Sequence, residues 1–97
     1  MKLTYPACFY RWQNGDGYTV EVPDLTGCVS EGDDLAEAVA MITDAATGWV
    51  LGELADGKQL PIASHIEDVE VGEDGFVSNI TLDLECCCKN VATKLKG

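Results

Sequence analysis

The stretch from Tyr18 to Ala38 constrains the fold most, because it contains the pattern of two strands, a turn and a helix start in consecutive residues. Tyr18, Val20 and Val22 alternate with polar residues, which is the period of a strand that buries one face. Pro23 then removes a backbone donor and ends this strand. The pattern predicts a half-buried strand that runs directly into a turn.

The rest of that stretch predicts a short strand and a capped helix. Asp24–Gly27 forms the turn, Cys28–Glu31 is β-prone, and Gly32 interrupts the strand. The carboxylate of Asp34 can accept hydrogen bonds from the free amides of a first helical turn, and Glu37 completes an Asp-x-x-Glu variant of the capping box. A helix is therefore expected to begin directly after Asp34.

The following residues predict one long amphipathic helix. Its apolar positions recur at three- and four-residue spacing, as Leu35, Ala38, Val39, Ile42, Ala45, Ala46, Trp49 and Val50. Met41, Leu51 and Leu54 widen this stripe beyond what one sheet face needs. We therefore predict that Trp49, Leu51 and Leu54 contact a partner or a second copy of the chain. Gly57 is expected to close the helix in a left-handed conformation.

Gly48 and Gly52 lie four positions apart within this helix. Each glycine costs about 0.8–1 kcal/mol of helix stability relative to alanine. The pair has two interpretations, a close approach of a second helix or a tolerated weakening near the helix end.

Further strands are predicted on either side of this region. Residues 2–10 alternate as a strand, in which Pro6 favours an edge position or an irregular register. Asn14–Gly17 tolerates positive φ and should close a hairpin. An acidic connection with a brief extended piece at Val69–Val71 precedes a fourth strand at Phe76–Leu84. The predicted fold class is α+β, an antiparallel β-β-β-α-β arrangement in which three strands form a meander and one long helix packs on the sheet.

These motifs resemble those of the HicB antitoxin family. They read Tyr5-Pro6-Ala7, an acidic glycine-rich hairpin at Asn14–Gly17, a turn motif at Pro23–Cys28 and a helix entry at Gly32–Ala38. The resemblance covers about residues 1–85 and implies a partial ribonuclease-H-like fold. Its structural motif residues here are Tyr5, Pro23, Gly27, Gly32, Asp34 and Glu37.

The family resemblance also implies a partner and a function. Members of the family neutralise a small, basic, HicA-like toxin that cleaves mRNA, and the catalytic histidine belongs to the toxin. Complete antitoxins usually continue into a helix-turn-helix or ribbon-helix-helix region that binds operator DNA. Residues 86–97 are too few for such a region, so we expect a short tail without a DNA-binding domain.

The charge of the chain favours a basic protein as its partner. The formal net charge is −11, and residues 31–85 hold 14 of the 17 carboxylates with Lys58 as their single basic residue. Because a phosphate backbone is bound by clustered lysine and arginine, DNA binding is not expected. A stand-alone RNA-binding or regulatory role of the same fold is the alternative. A chain of 97 residues has a modest core, so a homo-oligomer is also expected.

No catalytic, metal-binding or cofactor-binding residue is predicted. Two-metal nuclease chemistry needs several converging carboxylates. The candidates each have a plainer role as a turn, cap or solvated helix residue, and they are Asp16, Asp24, Asp33, Asp34 and Asp44. His65 is the only histidine and stands in an acidic loop without a nucleophile motif. The chain is therefore expected to act by binding.

The five cysteines predict free thiols in a reducing compartment. Cys8 and Cys28 would lie on strands separated by a third strand, too far apart for a disulfide. Cys86, Cys87 and Cys88 are adjacent, so their side chains diverge and suit buried thiols better than one zinc ion, although metal binding or redox sensing is the other interpretation. No segment approaches the length of a membrane span, and a cytoplasmic location is predicted.

Overall fold

The computed structural model describes residues 2–84 and has the predicted order of elements. The elements are β1 (Lys2–Arg11), β2 (Tyr18–Glu21), β3 (Val29–Gly32), α1 (Leu35–Ala55), a 3-10 helix (Ile66–Asp68) and β4 (Gly75–Asp83). The β-β-β-α-β prediction is therefore confirmed. The predictions for Cys86, Cys87, Cys88 and the short tail of residues 86–97 lie outside the described residues.

The four strands form one antiparallel sheet in the order β3-β2-β1-β4. The meander of β1 to β3 is confirmed, and β4 adds to the free side of β1. Pro6 lies opposite Asn79 of β4, whereas β2 pairs only with Cys8–Arg11. The first half of β1 thus has a neighbour on one side only, which is the local edge position that Pro6 favours.

Helix α1 packs on one face of the sheet and begins at the predicted cap. The Asp34 carboxylate accepts a hydrogen bond from the Glu37 amide at 2.7 Å, and the Glu37 carboxylate accepts one from the amide of Asp33 at 3.2 Å. The capping box therefore closes on Asp33 instead of Asp34. Gly57 follows the helix with a φ of 72°, as predicted.

The core lies between α1 and the sheet face that carries Tyr5, Ala7 and Phe9. The helix buries Ala38, Ile42, Ala46, Thr47 and Val50. Thr47 was not predicted in the core, and its hydroxyl is satisfied because it donates to the carbonyl of Thr43 at 2.7 Å. Leu35 and Val39 belong to the predicted stripe but stay about two-fifths exposed, at 41% and 39%.

Two glycines are required by the close packing of neighbouring elements, a role that the sequence did not predict. Gly32 is the last residue of β3 and is buried, and a Cβ there would collide with the backbone of Ala38. Gly17 follows the hairpin turn, and a Cβ there would collide with the Trp12 ring. Positive φ within the described residues is found at Gly27 and Gly57, so the hairpin at Asn14–Gly17 forms without it.

The connection between α1 and β4 differs from the prediction. Val69–Val71 is not a strand, and the 3-10 helix precedes it directly. Cys28 precedes β3 instead of lying within it. Cys8 and Cys28 are both buried and free in this structure.

Candidate protein-interaction site

A segment that we call the strap, residues 58–74, connects α1 to β4 and is fastened to the sheet at three places. The Asp24 carboxylate accepts hydrogen bonds from the amide and the hydroxyl of Ser64, both at 2.8 Å. The Tyr5 hydroxyl donates to the carbonyl of Pro61 at 2.7 Å. The Cys8 thiol lies 3.9 Å from the carbonyl of Glu70.

The strap passes from one face of the sheet to the other. Tyr5 and Cys8 have opposite parity along β1, so their side chains lie on opposite faces. The Tyr5 ring belongs to the core under α1, whereas Cys8 lies outside that core cluster. Because the strap covers the second face near Cys8, five consecutive residues of β1, 5–9, are buried although the helix covers only one face.

The strap carries exposed apolar side chains among carboxylates. Ile62 is 92% exposed and Ile66 is 40% exposed. The acidic residues of the strap are Glu67, Asp68, Glu70, Glu73 and Asp74. Its only lysine or arginine is Lys58 at its start, which pairs with Glu53 of α1 at 3.9 Å. The strap therefore presents an apolar surface inside a negative field.

The helix residues predicted to contact a partner are placed on different sides of α1. Trp49 is half-buried, and its indole Nε1 donates to the carbonyl of Thr26 at 3.0 Å. Leu51 is half-buried against the core, and Leu54 is 41% exposed. At about 100° per residue, Trp49 and Leu51 project about 200° apart. Leu54 has the most exposed side chain of the three, and their contact with a partner stays a prediction.

The residues of the family motif position the strap and the start of α1. The Tyr5 hydroxyl binds the carbonyl of Pro61, and Pro23 lies two residues after the end of β2 and directly before Asp24, whose carboxylate binds Ser64. Gly27 has a φ of 81°, a conformation that favours glycine. Its turn brings the carbonyl of Thr26 to Trp49. Gly32, Asp34 and Glu37 fix the start of α1, so this motif set builds the fold that positions the strap.

Burial raises the pKa of four groups near these anchors. Desolvation raises the pKa of the Tyr5 hydroxyl, and the negative charge of Asp24 adds to the effect. The pKa of the Cys8 thiol is raised by burial and then by Glu21, and burial alone raises that of Cys28. Burial also raises the pKa of Tyr10. These groups are therefore neutral at pH 7, and Tyr5 keeps the proton that it donates to Pro61.

A small aromatic cluster lies at the hairpin end of the sheet. The rings of Phe9 and Phe76 stack at 5.1 Å between centroids, and Tyr18 meets Phe76 edge-on at 6.3 Å. The guanidinium of Arg11 lies 5.9 Å over the Tyr18 ring. Beside it is an open depression of about 350 Å³, lined by Arg11, Trp12, Gln13 and Asp74.

Within residues 2–84, no group of three or more histidine, cysteine or acidic side chains could hold a metal ion. The carboxylates considered for nuclease chemistry lie in different parts of the fold. Asp24 binds Ser64 of the strap. Asp33 and Asp34 lie at the start of α1, and Asp44 lies within it. His65 is exposed at the start of the 3-10 helix. No helix in this part of the chain is long and apolar enough to cross a membrane.

Sequence reasoning did not predict the roles of Ser64, Pro61 and Ile62. Ser64 binds a residue 40 positions away and Pro61 one 56 positions away, so no local spacing could indicate these two contacts or the position that they give to Ile62 between them. The one available signal was Asp24, an acidic residue in a turn, whose carboxylate could accept hydrogen bonds from any part of the chain.

The family model described as a HicB-like antitoxin of bacterial toxin–antitoxin systems matches residues 5–91. An uncharacterized 14.9 kDa protein from the rep–hol intergenic region of Haemophilus phage HP1 is 40% identical over 65 residues, which are 67% of this chain and 47% of that protein. The chain thus spans about half the length of that curated relative.

Two solved structures have a similar fold. One is a toxin–antitoxin complex from Streptococcus pneumoniae, with 23% identity and a TM-score of 0.80 over 90% of this chain and 73% of that chain. The other is the N-terminal domain of the Burkholderia pseudomallei antitoxin HicB, with 21% identity and a TM-score of 0.68 over 84% of this chain and 100% of that chain. At these identities the likeness concerns the fold.

Proposed function

Because the chain belongs to the HicB-like antitoxin family, we propose that it neutralises a small, basic, HicA-like toxin by binding to it and occluding its surface. Occlusion requires no catalytic group in this chain. The toxin cleaves mRNA, so the encounter takes place in the cytoplasm.

The observation that carries this proposal is the distribution of charge. Residues 31–85 hold 14 of the 17 carboxylates and a single lysine, Lys58. Such a body attracts a basic protein from a distance and repels the phosphates of nucleic acids. The negative electrostatic field of the chain raises the rate of association with a cationic toxin, whereas the buried contacts determine the affinity.

The direct test is inhibition of the toxin. A HicA-like toxin from the same genome is incubated with messenger RNA, alone and with increasing amounts of the chain. Protection at a stoichiometric ratio is expected. The chain alone, with magnesium or manganese, should cleave neither single-stranded RNA, double-stranded RNA nor an RNA–DNA hybrid. Unprotected RNA at a large excess of the chain, or cleavage by the chain alone, would refute the proposal.

A stand-alone RNA-binding or regulatory role is the alternative function, and the aromatic cluster is the feature that most favours RNA binding. Arg11 is the only arginine of the chain, and it lies beside exposed aromatic surface where a base could stack. Titration with single-stranded RNA and with the DNA upstream of the gene tests this role. Submicromolar binding that is lost in Arg11→Ala, without affinity for the toxin, would favour it over the antitoxin role.

A further inference from the structure

Ile62 is held in a defined position although its side chain is almost entirely exposed. Tyr5 fixes the carbonyl of Pro61 on one side of it, and Asp24 fixes Ser64 two residues after it. Its exposed fraction of 92% is the highest among the large apolar side chains of the described residues. The chain therefore presents an isoleucine to solvent on a backbone fixed on both sides, so little backbone conformational entropy remains to be lost when a partner covers it.

The surroundings of Ile62 have the anatomy of an interface. Ile66 follows four residues later in the chain and is a second apolar side chain exposed to solvent. Glu67 and Asp68 follow Ile66 within the 3-10 helix, and three more carboxylates follow in the sequence before β4. An apolar centre with a charged rim is the usual arrangement of a protein interface.

The charge of this rim selects the kind of partner. Residues 59–74 contain no lysine or arginine. A symmetric contact with a second copy would bring the same carboxylates together, because both copies of a two-fold interface use the same surface. A basic surface with an apolar recess is complementary to both features.

We propose that Ile62 and Ile66 form the apolar centre of the surface on which the basic toxin docks, with the strap carboxylates as its rim. This inference rests on the proposed antitoxin function. Asp24 and Tyr5 are positioning residues of this surface, since they hold the backbone on either side of Ile62 and leave its side chain free.

The test measures affinity for a purified HicA-like toxin whose catalytic histidine is replaced by alanine. Ile62→Ala is expected to weaken binding at least about tenfold, and Ile62→Asp more strongly. Val29→Ala, at a residue 54% exposed on the edge strand β3, is the matched control and should bind as the wild type does. Because the Ile62 side chain has almost no buried surface, thermal unfolding of its variants should match that of the wild type.

The positioning role is tested separately from charge. Asp24→Ala and Asp24→Asn remove the same charge, but asparagine keeps an acceptor for Ser64. We expect about a fivefold loss of affinity in Asp24→Ala and recovery of most of it in Asp24→Asn. Equal losses in both variants would show that the charge of Asp24 acts and that its hydrogen bonds do not.

The outcomes separate this inference from the proposed function. If the wild-type chain binds the toxin and Ile62→Ala binds equally well, the docking surface is elsewhere and the antitoxin role stands. Loss of binding in Leu54→Ala, with Ile62→Ala unaffected, would place the surface on α1 instead. If the wild-type chain does not bind the toxin, the proposed function itself fails. Sedimentation of Ile62→Ala that shows a lost oligomer and unchanged toxin affinity would assign the strap to a second copy.

Discussion

The carboxylate of Asp24 accepts two hydrogen bonds from Ser64, a residue forty positions later in the chain, each at 2.8 Å. One oxygen binds the backbone amide and the other binds the hydroxyl. A single side chain in the turn between β2 and β3 thereby fixes the path of the strap. This pair of residues therefore contributes both to the fold and to the position of the proposed docking surface.

Asp24→Ala is predicted to lower the free energy of unfolding by about 1 kcal/mol, because two hydrogen bonds at a partly exposed site are replaced by water. The same change should open the strap to limited proteolysis. Asp16→Ala is the control, since it removes an equal charge from the exposed hairpin turn. Equal protease resistance of the Asp24 and Asp16 variants would show that the hydrogen bonds between Asp24 and Ser64 do not hold the strap in place.

The sequence predicts the features of this fold whose partners are close in the chain. The cap at Asp34 bonds to an amide three residues away, and the alternation of β4 follows from its own residues. The strap could not be predicted in this way. Its anchors join Asp24, Tyr5 and Cys8 to residues 40 to 62 positions later, and such pairings depend on how the complete sheet and helix pack.

Two alanine substitutions are predicted to have opposite effects on stability. Gly32→Ala forces a Cβ into the backbone of Ala38, so β3 and α1 must separate, and we expect a loss of about 3 kcal/mol or more. A Cβ at Gly48 meets no atom within 4 Å, so Gly48→Ala should stabilise the helix by about 0.8–1 kcal/mol.

Chemical denaturation of both glycine variants measures these effects. Destabilisation by Gly48→Ala would favour the other interpretation of that glycine, a close approach of a second helix, because the new methyl group would then meet a neighbouring molecule. Repeating the measurement at several protein concentrations distinguishes a contact between copies from a local effect within the helix.

The glycines also show which conformational roles the local sequence pattern predicts and which it does not. Gly57 was predicted to adopt positive φ because a helix end supplies its own local geometry, and its φ of 72° agrees. The roles of Gly17 and Gly32 were not predicted, since both depend on what lies above them, the Trp12 ring and the α1 backbone. A glycine required by packing has no signature in its neighbouring residues.

Stability is predicted to fall at alkaline pH partly through Tyr5. The folded state holds the pKa of this hydroxyl above its ordinary value of 10.0, first by burial and then by the charge of Asp24. Between these two pKa values the folded chain binds more protons than the unfolded chain, so the contribution of Tyr5 is complete below pH 10 and is lost as pH rises through the raised pKa.

Comparison of the wild type with Tyr5→Phe isolates this contribution. The variant lacks the bond to Pro61 and should be less stable at pH 8, by about 1 kcal/mol. Above pH 10 the difference should shrink as the wild type loses the hydroxyl proton. The buried thiols of Cys8 and Cys28 titrate in both proteins and cancel in the comparison. A stability difference that stays constant to pH 11 would contradict the assignment.

Trp49→Ala tests how much of this ring is buried in one copy of the chain. A fully buried tryptophan costs about 3–5 kcal/mol on truncation to alanine. Trp49 is only half-buried, so we expect about 2–3 kcal/mol from the lost contacts and the lost bond from its Nε1 to the carbonyl of Thr26. Trp49→Phe keeps an aromatic ring and should cost about 1 kcal/mol.

The concentration dependence of these Trp49 measurements tests the predicted self-association. If the exposed half of the ring packs against a second copy, the loss in Trp49→Ala will reach the fully buried range at high micromolar concentration and fall to the half-buried value when the protein is diluted to nanomolar concentration, because association stabilises only the folded state. Sedimentation over the same range should then show the wild type dissociating as it is diluted. A loss independent of concentration, with a monomer throughout, would show that Trp49 serves the fold alone and that this part of α1 does not mediate self-association.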